Sequence, residues 1–179
     1  MNPIVIYTSK TGFTEKYARW IAEALHCPLL PLKQADQAQL TGCSPVIYGG
    51  PLMAGKIAGL NKLKAQLSPG QRLLVFATGA TPQNGADTIA KARNDNFSRE
   101  EHQRIPFFYL EGGIDYDKMS FFNRFILKTM GKAVARKEHG DADSSELSHM
   151  FKPHDGSSRD YLAPLLAAVQ TDTAPQGHF

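Results

Sequence analysis

The first 25 residues constrain the fold of this chain more than any other stretch of the sequence. Residues 4–7 are Ile-Val-Ile-Tyr, an uninterrupted apolar run that is typical of a β-strand buried on both faces. From Phe13 to Leu25 the apolar residues instead recur with helical spacing, and charged residues take the opposite face. The predicted apolar face of this helix consists of Phe13, Tyr17, Trp20, Ile21, Ala24 and Leu25. Residues 8–12 are therefore a turn that leads directly from a strand into a helix.

This turn carries more hydroxyl groups than helix capping requires. A helix N-terminus leaves backbone N–H groups without partners and carries the positive end of the helix dipole, so it favours an anion. One Ser or Thr is enough to cap a helix, whereas this segment has Thr8, Ser9, Thr11 and Thr14. A purely structural cap is the alternative interpretation. The surplus of hydroxyls favours a phosphate site.

Size and composition indicate one globular domain. A chain of 179 residues, 42% of them hydrophobic, is long enough to bury about 70% of its unfolded surface. The net charge of +3 is small and no nucleic-acid-binding motif is present, so we expect no nucleic-acid partner. No signal peptide, bilayer-spanning apolar run or C-x-x-C motif is visible. We predict a cytoplasmic protein with a single domain over residues 1–170 and a flexible tail over residues 171–179.

Further apolar runs alternate with helical patterns along the chain. The predicted strands are residues 28–32, 45–48, 73–77 and 105–110. Helical spacing is predicted for a segment bearing Ile57, Leu60, Leu63 and Leu67, for residues 86–94 and for residues 161–169. Continuous apolar strands that alternate with helices predict a parallel sheet covered on both faces. The two prolines in residues 28–32 place that strand at an edge of the sheet.

The alternation stops after Gly113. We predict an insertion over about residues 114–158, with a helix from about Ser120 to Lys137 followed by a polar stretch. A basic row runs along this helix and consists of Arg124, Lys128, Lys132 and Arg136. Either the helix packs on the core with a solvated basic face, or the row is a surface for anionic lipid or an acidic partner.

Three loops leave the carboxyl ends of predicted strands, at residues 8–14, 49–56 and 78–82. In an open parallel sheet, ligands bind at the carboxyl ends of the strands, beside the point where the strand order reverses. Glycines in the second and third loops allow the backbone to approach a flat ligand closely, although they also serve as plain turn formers. The three loops together predict one ligand site at this edge.

The turn Thr-Ser-Lys-Thr-Gly-Phe-Thr at residues 8–14 resembles the phosphate loop of the flavodoxin family. Residues 50–56 and 78–81 resemble the two segments that lie on either side of the flavin ring in that family. The resemblance implies an α/β flavodoxin-like, doubly wound, five-stranded parallel sheet of order 2-1-3-4-5, with a helical insertion after strand 5 and non-covalent FMN. It implies as cofactor-binding residues Thr8, Ser9, Lys10, Thr11, Gly12, Phe13, Thr14, Pro51, Leu52, Met53, Ala54, Gly55, Thr78, Gly79, Ala80 and Thr81. Lys10 either adds charge to the phosphate site or is simply solvated.

Residues 112–118 and the helix after them resemble the insertion of menaquinone-dependent protoporphyrinogen oxidases. That resemblance implies an FMN-dependent oxidoreductase that passes electrons to a quinone, at the inner face of a membrane reached through the basic row. The alternative to a quinone is a redox partner protein. Lys10, Lys56 and the positive net charge favour such an enzyme over an acidic one-electron carrier. The carrier and a non-redox module that binds another phosphate ligand are the alternatives.

One further motif is misleading. Gly50, Gly55 and Lys56 have the spacing of a nucleotide-binding P-loop, but Ile57 stands where the metal-binding hydroxyl is required. The sequence therefore argues against nucleotide hydrolysis. The histidines have no metal-ligand spacing, so we predict no metal site.

Overall fold

A computed structural model of the chain describes residues 2–115 and 154–171. Its strands are β1 (Ile4–Tyr7), β2 (Leu29–Pro31), β3 (Val46–Met53), β4 (Lys56–Ile57), β5 (Leu73–Gly79), β6 (Phe107–Glu111), β7 (Gly113–Ile114) and β8 (His154–Asp155). Its helices are α1 (Phe13–Leu25), α2 (Gln37–Leu40), α3 (Leu60–Lys64), α4 (Ala86–Asn96), α5 (Arg99–Arg104) and α6 (Ala163–Gln170), with a 3₁₀ turn at Arg159–Leu162.

The central sheet has the order β2-β1-β3-β5-β6, and all five of these strands are parallel. Counted along the chain as five parallel strands, this is the predicted order 2-1-3-4-5. The strand with two prolines, β2, lies at an edge as expected. The sequence did not predict β4, a two-residue strand that pairs antiparallel with the end of β3.

Helices cover both faces of this sheet, which explains the continuous apolar strands. Successive side chains of β1 point to opposite faces: Val5 joins one buried cluster, and Ile4 and Ile6 join the other. The first cluster contains Tyr17 and Ile21 of α1 with Leu165 and Val169 of α6. The second contains Leu40, Leu60, Leu63 and Phe97 from α2, α3 and the end of α4.

Helix α1 has the predicted bounds but is rotated slightly from the predicted orientation. Ala24 is exposed, whereas Ala18 and Ala22 are buried together with Tyr17 and Ile21. The larger side chains of Trp20 and Leu25 are only partly buried beside this stripe. Small alanines allow close packing on the sheet, a preference that hydrophobicity alone does not reveal.

The segment predicted to begin a helix at Ile57 folds differently. Strand β3 continues to Met53, and the chain reverses at Ala54 and Gly55, which have φ values of 48° and 80°. Two positive φ values in a two-residue connection define a type I′ hairpin, so Ile57 pairs with Leu52. The helix α3 begins only at Leu60, because the chain first passes through a left-handed residue at Gly59.

A short antiparallel pair bounds the segment that is predicted to be an insertion. Gly113 pairs with Asp155 and Ile114 with His154, so β7 and β8 enclose the segment between them. The predicted helix from Ser120 to Lys137, with Arg124, Lys128, Lys132 and Arg136, lies outside the described residues. Only Thr171 of the predicted tail is described. Among the helices of residues 2–115 and 154–171, none has the length and apolarity needed to cross a membrane.

Candidate functional site

The three predicted loops lie at one edge because they follow adjacent parallel strands. Tyr7 at the end of β1 is opposite Gly49 of β3, and Pro51 of β3 is opposite Thr78 of β5. The residue between β6 and β7 lies at the same edge, since the Gly112 amide donates to the carbonyl oxygen of Gly79 at 2.8 Å. Parallel pairing therefore brings segments that are distant in sequence to one edge of the sheet.

The start of α1 presents a row of unpaired backbone amides. Gly12 is the N-cap, has a φ of 96° and makes no side-chain capping bond. The first i to i−4 hydrogen bond of the helix runs from the Lys16 amide to the Gly12 carbonyl at 2.9 Å. Among the amides of residues 10–15, five donate no hydrogen bond within residues 2–115 and 154–171: those of Lys10, Thr11, Phe13, Thr14 and Glu15. We call this group the amide nest.

The four hydroxyls of the first loop have different partners. Thr14 and Thr78 are 2% and 3% exposed, and their hydroxyl oxygens are 2.7 Å apart. The Thr8 hydroxyl lies 2.9 Å from the hydroxyl of Tyr48. Ser9 accepts a bond from the Gly12 amide at 3.1 Å, and the Thr11 hydroxyl has no partner among the described residues. Thr8 and Thr14 therefore face the protein, whereas Thr11 is free to donate to a ligand.

Phe13 and Lys10 differ in their surroundings. Phe13 packs on the loop after β6, since a Cβ atom placed on Gly112 would lie 3.2 Å from the Phe13 Cβ. A Cβ atom on Gly113 would lie 2.8 Å from the Phe13 ring. The ring therefore packs against Gly112 and Gly113, where β6 ends and β7 begins, and only the Phe13 amide belongs to the nest. Lys10 is exposed and forms no ion pair within the described part of the chain.

The second loop is held by the end of α4. Asn96 donates to the Gly55 carbonyl at 2.7 Å and accepts from the Ile57 amide at 2.8 Å, which fixes the hairpin turn. Pro51, Leu52 and Met53 are partly buried in β3, and Ala54 is exposed at the turn. Sequence reasoning missed Asn96, because nothing near it in the sequence indicates which loop it contacts.

Lys56, which is predicted to lie near the site, has partners of its own in the protein. The Lys56 ammonium donates to the backbone carbonyl of Asp95 at the end of α4. The carboxylate of Asp95 also pairs with Lys91 at 2.7 Å. The Lys56 charge therefore interacts with the negative end of a helix dipole and a nearby carboxylate.

The third loop is braced by residues of β6. The Tyr109 hydroxyl donates to the Thr81 carbonyl at 2.8 Å. The Gln83 amide donates to the Glu111 carboxylate, and the Gln83 side chain donates to the Tyr109 carbonyl, each at 2.8 Å. Thr78 and Gly79 lie at the end of β5, and Ala80 and Thr81 follow in the loop. These bonds attach the loop to β6.

The chain that returns from the insertion docks on the first turns of α1. Lys16 pairs with the Asp155 carboxylate at 2.8 Å and donates to the Ser157 hydroxyl at 2.7 Å. The Ser158 amide donates to the Tyr17 hydroxyl at 3.0 Å. Partial burial raises the pKa of Asp155, but the hydrogen bonds from Lys16 and Ser157 outweigh it, so this pKa lies below its ordinary value of 3.8.

We expect this pair to make stability dependent on acid pH. A carboxyl whose pKa is lowered by folding contributes stability above its ordinary pKa, and the contribution disappears as the pH falls through the folded-state pKa. When urea unfolding is measured from about pH 5 downwards, the free energy of unfolding should fall less with pH for Lys16→Met than for wild type. The control is Arg19→Met, which removes the exposed pair with Glu15 instead. Equal declines in both variants would contradict the assignment.

A groove of about 430 Å³ lies away from these loops. Leu67, Leu73 and Ile105 are among its lining residues, and they precede or begin β5 and β6. The groove is thus at the amino ends of the strands, and it contains none of the predicted cofactor-binding residues. Within residues 2–115 and 154–171, no group of His, Cys, Asp and Glu side chains is arranged to bind a metal ion.

Comparison with known proteins agrees with this architecture. The profile of the flavodoxin domain family matches residues 4–143. The chain belongs to the flavodoxin family. No curated protein matches the sequence significantly.

Several solved structures resemble this flavodoxin-family chain. General stress protein 14 of Treponema denticola, solved in complex with FMN, has a TM-score of 0.50 at 13% identity, covering 95% of this chain and 100% of that one. Flavodoxin 2 of Bacillus cereus has a TM-score of 0.45 at 17% identity, covering 62% and 84%. A flavodoxin from the domain Archaea has a TM-score of 0.42 at 16% identity, covering 65% and 88%. Similarity at such identities concerns the fold alone, which is the flavodoxin-like α/β fold.

Proposed function

We propose that this flavodoxin-family chain is a redox flavoprotein that binds FMN at the carboxyl edge of its sheet. The amide nest at the start of α1 carries the proposal, because its donors have no acceptor in the described protein. A phosphate at a helix N-terminus would satisfy several of them and interact with the positive end of the dipole. The relative from Treponema denticola was solved with FMN, which supports this choice of phosphate ligand.

The residues present fit each part of the cofactor. The nest, with the hydroxyls of Ser9 and Thr11, would hold the phosphate. Residues 51–55, at the end of β3 and in the hairpin turn, would lie along one side of a flat ring, with the partly buried Met53 as an apolar contact, whereas Leu52 packs against the core. Residues 78–81 would lie on the other side. The bound flavin would supply the electron-transfer chemistry, while the chain binds it, orients it and shapes its surroundings.

Comparison of FMN with riboflavin tests this proposal directly, because riboflavin has the same ring system and no phosphate. We expect the purified protein to bind FMN about 100-fold more tightly, since two charge-assisted hydrogen bonds contribute about 1.5 kcal/mol each. Titration of flavin fluorescence gives both dissociation constants. Equal affinities would contradict the phosphate site. Binding of neither flavin would favour the phosphate-binding module.

The redox partner is the finer part of the proposal. The resemblance to menaquinone-dependent protoporphyrinogen oxidases suggests a quinone, with Arg124, Lys128, Lys132 and Arg136 as a surface for anionic lipid; these residues lie outside the described part of the chain. A one-electron carrier that meets a partner protein is the alternative. An anaerobic reductive titration separates the two, because a carrier accepts electrons in two resolved steps and an enzyme of this type accepts both together.

A further inference from the structure

Tyr48 lies between the first two loops of the site. It is fully buried in β3, and its hydroxyl oxygen is 2.9 Å from the Thr8 hydroxyl and 2.6 Å from the Ala58 carbonyl oxygen. Thr8 is the first residue of the turn that leads to the amide nest, and Ala58 follows the β3–β4 hairpin. A single side chain therefore connects the phosphate loop to the strand pair beside it.

The direction of both bonds follows from the available protons. A carbonyl oxygen only accepts, so the one proton of the Tyr48 hydroxyl is donated to Ala58. The bond between the two hydroxyls must then use the proton of Thr8. Burial raises the pKa of Tyr48 to about 12, although its bond with Thr8 lowers it slightly, so the phenol stays neutral at physiological pH. The Thr8 hydroxyl is consequently engaged with the protein.

Backbone contacts restrict Thr8 further. Its amide donates to the Gly49 carbonyl at 2.9 Å. Gly59 lies so close that a Cβ atom there would be 2.3 Å from the Tyr48 hydroxyl oxygen and 2.8 Å from that of Thr8. Thr8 is thus held through both its backbone and its side chain, immediately before the residues whose amides form the nest.

We infer that Tyr48 is a positioning residue for the phosphate end of the ligand. It holds Thr8, and through Thr8 the direction in which the following amides point, without touching the ligand itself. This inference rests on the proposed FMN site and extends it to a residue inside the sheet. Because a hydrogen bond weakens steeply when its geometry is lost, a loosened Thr8 should weaken phosphate binding more than ring binding.

Tyr109 provides a matched comparison. It is also buried, burial raises its pKa to about 12, and its hydroxyl donates to the backbone of a neighbouring loop. That loop contains Thr81 and lies on the ring side of the proposed site. Removal of either hydroxyl leaves a partly buried carbonyl without its donor, so both variants should lose similar stability.

The experiment measures FMN and riboflavin affinities of Tyr48→Phe and Tyr109→Phe. For Tyr48→Phe we expect FMN affinity to fall about 10-fold and riboflavin affinity by less than about 2-fold, a difference equal to one hydrogen bond. For Tyr109→Phe we expect both affinities to fall by the same factor. A double-mutant cycle with Thr8→Val identifies the route, because Tyr48→Phe should not change the affinity ratio further when Thr8 has no hydroxyl.

The possible results separate this inference from the proposed function. If wild type shows no preference for FMN, the proposed function fails and the inference fails with it. If wild type prefers FMN and Tyr48→Phe leaves the ratio unchanged, or acts additively with Thr8→Val, only the inference fails. Should Tyr48→Phe not fold, Thr8→Val alone must lower the ratio about 10-fold, since it removes the same bond while Ala58 keeps its donor.

Discussion

Replacement of Gly59 by alanine is expected to lower the free energy of unfolding by about 3 kcal/mol. Gly59 caps α3 with a φ of 82°, a conformation that costs other residues about 1 kcal/mol. Its new Cβ atom would also lie 2.3 Å from the Tyr48 hydroxyl oxygen, 2.7 Å from a Leu32 methyl and 2.8 Å from the Thr8 hydroxyl oxygen. Such overpacking adds roughly 1–3 kcal/mol.

The matched control is Gly70→Ala. Gly70 has nearly the same backbone angle, with a φ of 78°, but a Cβ atom there would meet nothing within 4 Å. We expect this variant to lose only about 1 kcal/mol, the cost of the left-handed conformation by itself. Urea unfolding of wild type and both variants gives the difference. Equal losses would show that the space around Tyr48 and Thr8 is not as tightly packed as the structure indicates.

Replacement of Thr11 by aspartate should lower FMN affinity about 1,000-fold. The carboxylate would lie beside the amide nest and take donors that a phosphate needs, and it would repel the phosphate by about 1 kcal/mol or more. The same charge is favourable near a helix N-terminus when no ligand is bound, by about 0.3–1 kcal/mol. We therefore expect the ligand-free variant to be at least as stable as wild type, so that the lost affinity does not reflect unfolding.

Two comparisons make this prediction specific. Thr88→Asp places the same charge on an exposed residue in the first turn of a different helix, α4. It should leave FMN affinity within about 2-fold of wild type, because the charge is exposed to screening by salt and takes none of the donors of the nest. Riboflavin affinity of Thr11→Asp should also stay close to wild type, since riboflavin lacks the phosphate. A parallel loss of both flavins would place the phosphate elsewhere.

The covered parallel sheet was predictable from local patterns, whereas its strand order was predicted from the resemblance to the flavodoxin family. Apolar runs such as residues 4–7 and 73–77 are continuous because both faces of each strand are buried, which leaves only a covered parallel sheet. Local sequence signals also accounted for the start of one helix and for the position of one strand. Ser98 and Glu101, which are three residues apart, form a capping box at the start of α5, and the prolines place β2 at an edge.

The hairpin at residues 53–56 shows why some elements were not predictable. The spacing of Ile57, Leu60 and Leu63 fits a helix, and all three side chains are indeed buried in one cluster. A short strand followed by a helix buries the same residues, so periodicity cannot separate the two. Asn96 favours the strand over the helix, because it holds the hairpin turn through hydrogen bonds to Ile57 and Gly55. Asn96 lies 39 and 41 residues after these two residues in the sequence.

The sequence by itself determined the covered parallel sheet, the turn rich in hydroxyls and the edge where the loops meet, because burial and helix termini depend on neighbouring residues. Only the tertiary structure decided which donors are free. Thr14 is engaged by Thr78 across 64 residues, and Tyr48 engages Thr8 across 40. A hydrogen bond is gained or lost when the distance between donor and acceptor changes by a few tenths of an ångström. For groups far apart in sequence, that distance is set only when the sheet assembles.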